Sequence, residues 1–225
     1  MGLQQELEAF RSEAAKLMPP DLLAGLQKSI DDLEHSGIVE RALKTDDFAP
    51  DFTLPNAEGR HIALSDLLKR GPAILSFYRG LWCPYCSLEL RAYQRLLPDI
   101  HALGAAVAAI SPQTADRSAA TAARNELEFE VLSDHRNEVA ALFGIAYDVP
   151  EVIRTITEKF GHHLPDYNGS DDWRLPVSAT YVIAPDRHIV LADVDPDFRS
   201  RLEPEHALTA LQRIAASKGV TEYER

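Results

Sequence analysis

Both cysteines of this 225-residue chain lie in one stretch, Trp82-Cys83-Pro84-Tyr85-Cys86. A thiol attacks as its thiolate, and two neighbouring thiols can pass between dithiol and disulfide. Local structure decides whether a thiolate is favoured and whether the pair is held close. Ala73 to Tyr78, following Gly71-Pro72, is a short, mostly apolar run that reads as a buried strand. From Cys86 the pattern turns helical: Cys86, Leu90, Tyr93 and Leu97 recur on one face, and Pro98 is expected to end the run. Pro84 suits the first helical position, where its missing N–H leaves nothing unpaired. Cys83 is then the N-cap and Cys86 the third helical residue. N–H groups at a helix start lack intrahelical partners and carry partial positive charge, so a thiolate is stabilised there. The spacing also brings the two Cα atoms near the roughly 5.5–6 Å usual for a disulfide.

Around this turn the chain must supply a sheet and helices. Leu3, Leu7, Phe10, Ala14 and Leu17 form one helical stripe, broken at Met18-Pro19-Pro20; Leu22, Leu26, Ile30 and Leu33 form a second, stopped near Gly37. These two helices need a surface to cover, either their own core or a partner subunit. Ala49 to Leu54 and His61 to Leu64, joined through Asn56-Ala57-Glu58-Gly59, read as a β-hairpin. Ala105 to Ser111 is expected to be a buried parallel strand, Ala115 to Glu126 a helix, Glu130 to Leu132 a strand, and about Arg136 to Phe143 a helix. Residues 145–176 read as a long excursion with one helix near 150–160, of the kind that often carries function. Ala179 to Ile183 and Ile189 to Val194 are an antiparallel pair around Pro185-Asp186-Arg187-His188, and Glu203 to Lys218 is a closing helix. This order predicts an α/β architecture: a central mixed sheet flanked by helices, with the cysteine turn at the carboxyl end of a central strand, where open α/β sheets place ligands.

Composition narrows the partners. A net charge of −12 argues against nucleic acid and anionic membranes. No apolar run is long enough to span a bilayer. The N-terminus Met-Gly-Leu-Gln-Gln-Glu-Leu-Glu lacks a basic n-region and an apolar h-region. Two cysteines in a single CxxC, without an export signal, point to redox chemistry in a reducing compartment, and a cytoplasmic location is expected.

Several motifs carry a family likeness. Ala49-Pro50-Asp51-Phe52-Thr53-Leu54, then Phe77-Tyr78-Arg79-Gly80-Leu81-Trp82-Cys83-Pro84-Tyr85-Cys86, Ser111-Pro112, Leu132-Ser133-Asp134, Phe143-Gly144 and Thr180-Tyr181-Val182-Ile183 resemble the peroxiredoxins, the alkyl hydroperoxide reductase and thiol-specific antioxidant family. The resemblance is to a CxxC-bearing branch, and it implies a thioredoxin-like fold over residues 45–225 with residues 1–44 as an N-terminal helical extension. On the peroxiredoxin pattern, Glu89-Leu90 follows the attacking cysteine. That places Cys86 on that cysteine, Cys83 on the pattern's Thr, Arg79 on its Pro, and Ser178 where its Arg would stand. On the thioredoxin pattern, Trp82-Cys83-Pro84-Tyr85-Cys86 makes Cys83 the attacking thiol and Cys86 the resolving one.

The implied activity is thiol-dependent oxidoreduction through Cys83 and Cys86, with a hydroperoxide or a protein disulfide as substrate. Electrons would come from a thioredoxin- or glutathione-type donor, without a bound cofactor or metal. The alternatives are a thioredoxin-like disulfide reductase and a non-enzymatic redox sensor or metal carrier. A peroxide needs a cation to favour the thiolate and polarise the O–O bond; Arg79, Arg199 and Arg201 are the candidates, the last two in Asp197-Phe198-Arg199-Ser200-Arg201. Trp82 and Tyr85 flank the thiols and are expected to shape the pocket. Glu89, one turn past Cys86, would raise that thiol's pKa if buried beside it. His162-His163 with Asp166 reads as a solvated cluster, and Trp173 as a loop anchor. A homodimer is possible through the N-terminal helices.

Overall fold

A computed structural model describes residues 2–222, with side chains described through Ser217. The elements in chain order are α1 (Leu3–Leu17), α2 (Pro20–Glu34), α3 (Ile38–Arg41), β1 (Thr53–Pro55), β2 (His61–Ala63), α4 (Leu64–Leu68), β3 (Ala73–Phe77), α5 (Pro84–Ala102) and β4 (Ala106–Ser111). They continue with α6 (Ala115–Asn125), β5 (Glu130–Ser133), α7 (Glu138–Leu142), β6 (Ala146–Asp148), α8 (Glu151–Lys159), α9 (Leu164–Asn168), β7 (Arg174–Pro176), β8 (Ser178–Ile183), β9 (Ile189–Asp195) and α10 (Pro204–Glu222).

The central sheet has the order β5-β4-β3-β8-β9. β3 lies in the middle, parallel to β4 and antiparallel to β8, so it is hydrogen-bonded on both edges. It is also covered on both faces, and all five of its residues are buried. That is why its sequence is a near-continuous apolar run without alternation. Period two still sorts its side chains. Ile74, with Val107 and Val182 of its neighbours, packs against Tyr93, Leu97 and Leu211 of α5 and α10. Leu75 and Phe77, with Ala108, Ile110 and Tyr181, face a second core that includes Ile38, Leu64 and Phe143. Each large side chain buried this way contributes roughly 1.5–3 kcal/mol of transfer free energy.

Helix α5 differs from expectation at its end. It runs through Pro98 to Ala102. The apolar stripe continues to Ile100, which is fully buried, so packing holds the helix together across the hydrogen bond that proline removes. The excursion at 145–176 is more ordered than its weak periodicity suggests. α8 forms where one helix was expected; α9 and the antiparallel β6–β7 pair, Ala146 against Pro176, fold the segment back on itself.

The N-terminal helices cover their own chain. Leu3 and Leu7 of α1 are buried in the cluster that holds Cys83, Cys86 and Leu90. Leu26 and Ile30 of α2 pack with Ile153 and Ile156 of α8. Gly2 gives α1 no side-chain cap. Instead Glu203 accepts hydrogen bonds from the N–H groups of Leu3 (3.1 Å) and Gln4 (2.9 Å), and Glu6 pairs with Arg95 of α5 at 2.9 Å. Carboxylate oxygens at a helix N-terminus satisfy orphan donors and favour the dipole. No helix among the described residues is long and apolar enough to cross a membrane.

Candidate active site

The buried strand β3 delivers the chain to Tyr78, and five residues later α5 begins with Cys83 as N-cap in an extended conformation (φ −93°, ψ 109°) and Pro84 as first helical residue. Cys86 is thus in the first turn, as its spacing predicts. Both cysteines are free thiols, each 1% exposed. The loop between is held from β4: the Gln113 side-chain carbonyl accepts from the Leu81 N–H (2.8 Å), while its amide donates to Tyr78 Oη (3.2 Å) and Thr121 Oγ1 (3.1 Å). Gly80 is required where it stands. A Cβ there would lie 2.5 Å from Trp82 Nε1 and 3.1 Å from Gln113 Oε1.

Two arginines converge on the thiols. Cys86 Sγ accepts from the Arg79 backbone N–H (3.4 Å) and from Arg201 Nη2 (3.3 Å). Arg201 also donates through Nε to Glu89 Oε2 at 2.7 Å and through Nη1 to the carbonyls of Phe198 and Ser200. Arg201 and Glu89 are both buried, their side chains 2% and 1% exposed. The other Glu89 oxygen accepts from Thr180 Oγ1, which in turn accepts from Tyr93 Oη, each at 3.4 Å. Arg79 is held differently. Its guanidinium stacks between the rings of Phe198 (4.1 Å) and Trp82 (4.8 Å), beside the hydroxyl of Tyr147, and no carboxylate pairs with it among the described residues.

These charges set the thiols apart. Burial alone would push Cys83 up. The Cys86 thiol, the Arg79 and Arg201 guanidiniums and the Cys86 backbone N–H outweigh it, and Cys83 falls to about 6. Cys86 moves well up instead, through burial first and then the Cys83 thiolate next to it. The opposite directions of the two shifts favour Cys83 over Cys86 as the first of the pair to lose its proton. Burial raises the Glu89 carboxyl to about 7 despite Arg201. A cavity of about 390 Å³ opens over the site, and of the two thiols only Cys83 lines it.

Alkylation of Cys83 by iodoacetamide is accordingly expected to follow a titration near pH 6. It should be fast on the plateau above and fall about tenfold per pH unit below. Rates measured from pH 4.5 to 9 check this; a midpoint near that of an ordinary thiol would contradict it.

The sequence profile of the AhpC/TSA family matches residues 45–192. The chain belongs to that family. Chloroplastic peroxiredoxin Q of Sedum lineare is 32% identical over 100 residues, 44% of this chain and 53% of the plant protein, so the match spans about half of that relative. Among solved structures, peroxidoxin BcpB from Mycobacterium tuberculosis is 26% identical with a TM-score of 0.61, covering 76% of this chain and 98% of that one. Peroxiredoxin Q of Xanthomonas campestris is similar in fold, at 17% identity and a TM-score of 0.54, over 73% and 90% of the two chains. The central mixed sheet and flanking helices are those of the thioredoxin-like peroxiredoxins.

Within this AhpC/TSA protein most of the predicted site residues come together: Arg79, Trp82, Cys83 and Tyr85 line the cavity, and Cys86 and Arg201 lie behind it. Tyr85 is wedged edge-on between Phe10 (5.0 Å) and Phe198 (5.6 Å). Arg199 is not brought in. It is committed to Asp197 through Nε (2.7 Å) and Nη2 (2.8 Å) and to Gln27, away from the cavity lining. His162 stands against Trp82 at the cavity wall with Nδ1 at 3.1 Å from Tyr167 Oη, while His163 pairs with Asp166 at 3.1 Å. Trp173 stacks near His163 and under Arg154, as a loop anchor does. Gln113, Tyr147 and Phe198 were not singled out in the sequence. Gln113 could have been, since it follows the carboxyl end of the strand beside β3, where α/β sheets build their sites.

Proposed function

We propose that this chain reduces hydroperoxides with Cys83 as the attacking thiol and Cys86 as the resolving thiol. Thiol-dependent peroxide reduction is the activity of the family's peroxiredoxins, and it makes this chain a thiol peroxidase; the division of labour between the thiols is our reading. One observation carries it: Cys83 faces the cavity as the favoured thiolate, and Cys86 does not reach the cavity. The Cys83 thiolate attacks the distal peroxide oxygen. An S–O bond forms, the O–O bond breaks, and the alkoxide leaves and takes a proton to become an alcohol or water. Arg79, desolvated and without a carboxylate partner, is the cation that polarises the O–O bond and receives the developing charge. The Cys86 thiol then attacks the sulfenic sulfur, forming the disulfide and releasing water. Arg201 supports that step by holding Cys86 and Glu89 in place. A dithiol donor of the thioredoxin type restores the pair, with a glutathione-type donor as the second candidate.

We further take residues 1–44 as an addition to the family's domain, supported by the match beginning at residue 45. A reducing, cytoplasmic setting fits two free thiols that must be regenerated. The motive for a homodimer weakens, because the N-terminal helices are already covered within the chain.

Mixing the reduced protein with hydroperoxide, trapping sulfenic acid with dimedone and mapping the adduct by mass spectrometry tests the assignment. The adduct is expected on Cys83. An adduct on Cys86 would reverse the roles. Oxidation no faster than that of a free thiol would move the substrate to protein disulfides.

A further inference from the structure

When a thiolate takes the distal oxygen of a peroxide, the other oxygen departs as hydroxide or alkoxide and needs a proton. Water itself titrates at about 15.7, so an acid placed beside that oxygen speeds the break. Several nearby groups are engaged elsewhere. Both Glu89 oxygens accept hydrogen bonds, one from Thr180 and one from Arg201, behind Cys86. The Cys86 proton leaves with the sulfenic oxygen in the resolving step. His162 has Nδ1 at 3.1 Å from Tyr167 Oη, and burial, then Arg124, lowers its pKa and favours the neutral ring, a poor acid. After burial itself, the strongest influence on the Tyr85 hydroxyl is Arg199, which is turned away from the cavity. Tyr147 is placed differently. It lies on β6 opposite Leu175 of β7 and packs in one cluster with Trp82 and Phe198, the two rings that sandwich the Arg79 guanidinium. Its hydroxyl meets that guanidinium in a hydrogen bond. A guanidinium only donates, so the phenol oxygen accepts and its own proton is left to give. Burial raises the pKa of this hydroxyl, Arg79 draws it down, and charge on Cys83 and, less strongly, on Cys86 raises it again; the net shift is upward, so the proton is held at neutral pH. Arg79 Nε is buried and has no hydrogen-bond partner among the described residues, although Arg79 lines the cavity with Cys83. A buried cationic N–H without an acceptor is costly unless something comes to use it.

We propose that Tyr147 is the proton donor to the leaving oxygen, and that its hydroxyl and Arg79 Nε together hold that oxygen as it departs. The proposal rests on the peroxide-reducing reading above and adds a catalytic residue to it. The Cys83 thiolate forms the S–O bond, and the electron pair of the O–O bond passes to the leaving oxygen. The phenol proton moves to that oxygen, giving water or an alcohol and leaving Tyr147 as its phenolate. Sulfur is oxidised to the sulfenic acid and the peroxide is reduced. The negative charge has moved from sulfur to the phenolate, and in both places it lies beside Arg79, so the guanidinium keeps a counter-charge throughout. The phenolate then regains from water the proton that Cys83 gave up on ionising, and Cys86 retains its own for the resolving step.

The test compares two oxidants whose leaving oxygens differ in their need for a proton. Hydrogen peroxide releases hydroxide; peracetic acid releases a carboxylate, whose conjugate acid titrates near about 4. With the full chain, reduced, in stopped flow at pH 7, Tyr147→Phe is expected to slow oxidation of Cys83 by hydrogen peroxide about 10²-fold and by peracetic acid less than about threefold. Alkylation of Cys83 by iodoacetamide should keep its midpoint near pH 6, because Tyr147 is not among the groups that lower that thiol. A loss of packing alone would slow both oxidants alike; that result, or an unchanged rate with hydrogen peroxide, overturns the proposal. Should Tyr147→Phe fail to fold, a fluorotyrosine in place of Tyr147 keeps the ring and the hydroxyl but is the stronger acid. It should speed hydrogen peroxide about threefold and leave peracetic acid unchanged, and an equal response to both overturns the proposal. Wild-type oxidation by hydrogen peroxide no faster than that of a free thiol overturns the peroxidase reading and this proposal together. A fast wild type with a Tyr147→Phe protein that does not discriminate between the oxidants overturns this proposal alone.

Discussion

Cys86→Ser protein is expected to consume one equivalent of hydroperoxide and then stop, holding a sulfenic acid on Cys83. Cys83→Ser protein is expected to lose peroxide reduction by at least about 10³-fold, because a catalytic nucleophile is removed outright. The asymmetry follows from position. Cys83 lines the cavity as the favoured thiolate, while Cys86 lies behind it under Arg201. Serine at 86 keeps a hydrogen-bond donor beside Cys83, so the thiolate should persist and the first step should stay fast. What is lost is the attack on the sulfenic sulfur. Stoichiometric titration with cumene hydroperoxide, followed by intact mass, reads both outcomes. A Cys86→Ser protein that turns over many times with a dithiol donor would show that Cys86 does not resolve.

Arg201→Met should be the most damaging change outside the cysteines. It leaves Glu89, 1% exposed, as a buried carboxyl without its cation. Breaking such a pair from one side costs about 3–5 kcal/mol. The pH dependence has a definite sign. Glu89 titrates near 4.5 when unfolded and is raised to about 7 in the fold, so the folded state binds the extra proton between those values. Stability from this group falls as pH rises across that window. Without Arg201 the folded value climbs further, so the deficit should be larger at pH 8 than at pH 5. Urea unfolding at the two pH values measures it. Adding Glu89→Leu should restore much of the stability, because a buried ion pair can often be replaced by apolar side chains. It should not restore the low pKa of Cys83, which has lost a neighbouring guanidinium. Equal destabilisation at both pH values would contradict this account.

Local chemistry was legible in the sequence, and long-range placement was not. The strand, the N-cap at Cys83 and the proline at the first helical position follow from punctuation and periodicity, and the structure has all three. Pro98 misled because its cost is a single backbone bond, whereas the burial of Leu97 and Ile100 is decided by tertiary packing. Arg199 and Arg201 could not be ranked from spacing. They are two residues apart in one loop, and the loop turns one toward Asp197 and the other toward Cys86, 115 residues away. The cavity is the least legible feature of all. Its walls come from α1, α2, α8 and the Phe198 loop, and each contributes apolar residues that read along the chain as ordinary core.

The trans cap on α1 has a consequence for how the protein matures. Glu203 holds the first N–H groups of that helix, and Gln4 Nε2 reaches the carbonyl of Arg201 at 2.5 Å. Residues 2–4 thus find their partners only after residues 201–203 have been made. The α1 wall of the cavity over Cys83 and the arginine behind it are then completed together. Until residues 2–4 and 201–203 meet, the CxxC pair has Arg79 and the α5 N-terminus beside it but neither the α1 wall nor Arg201.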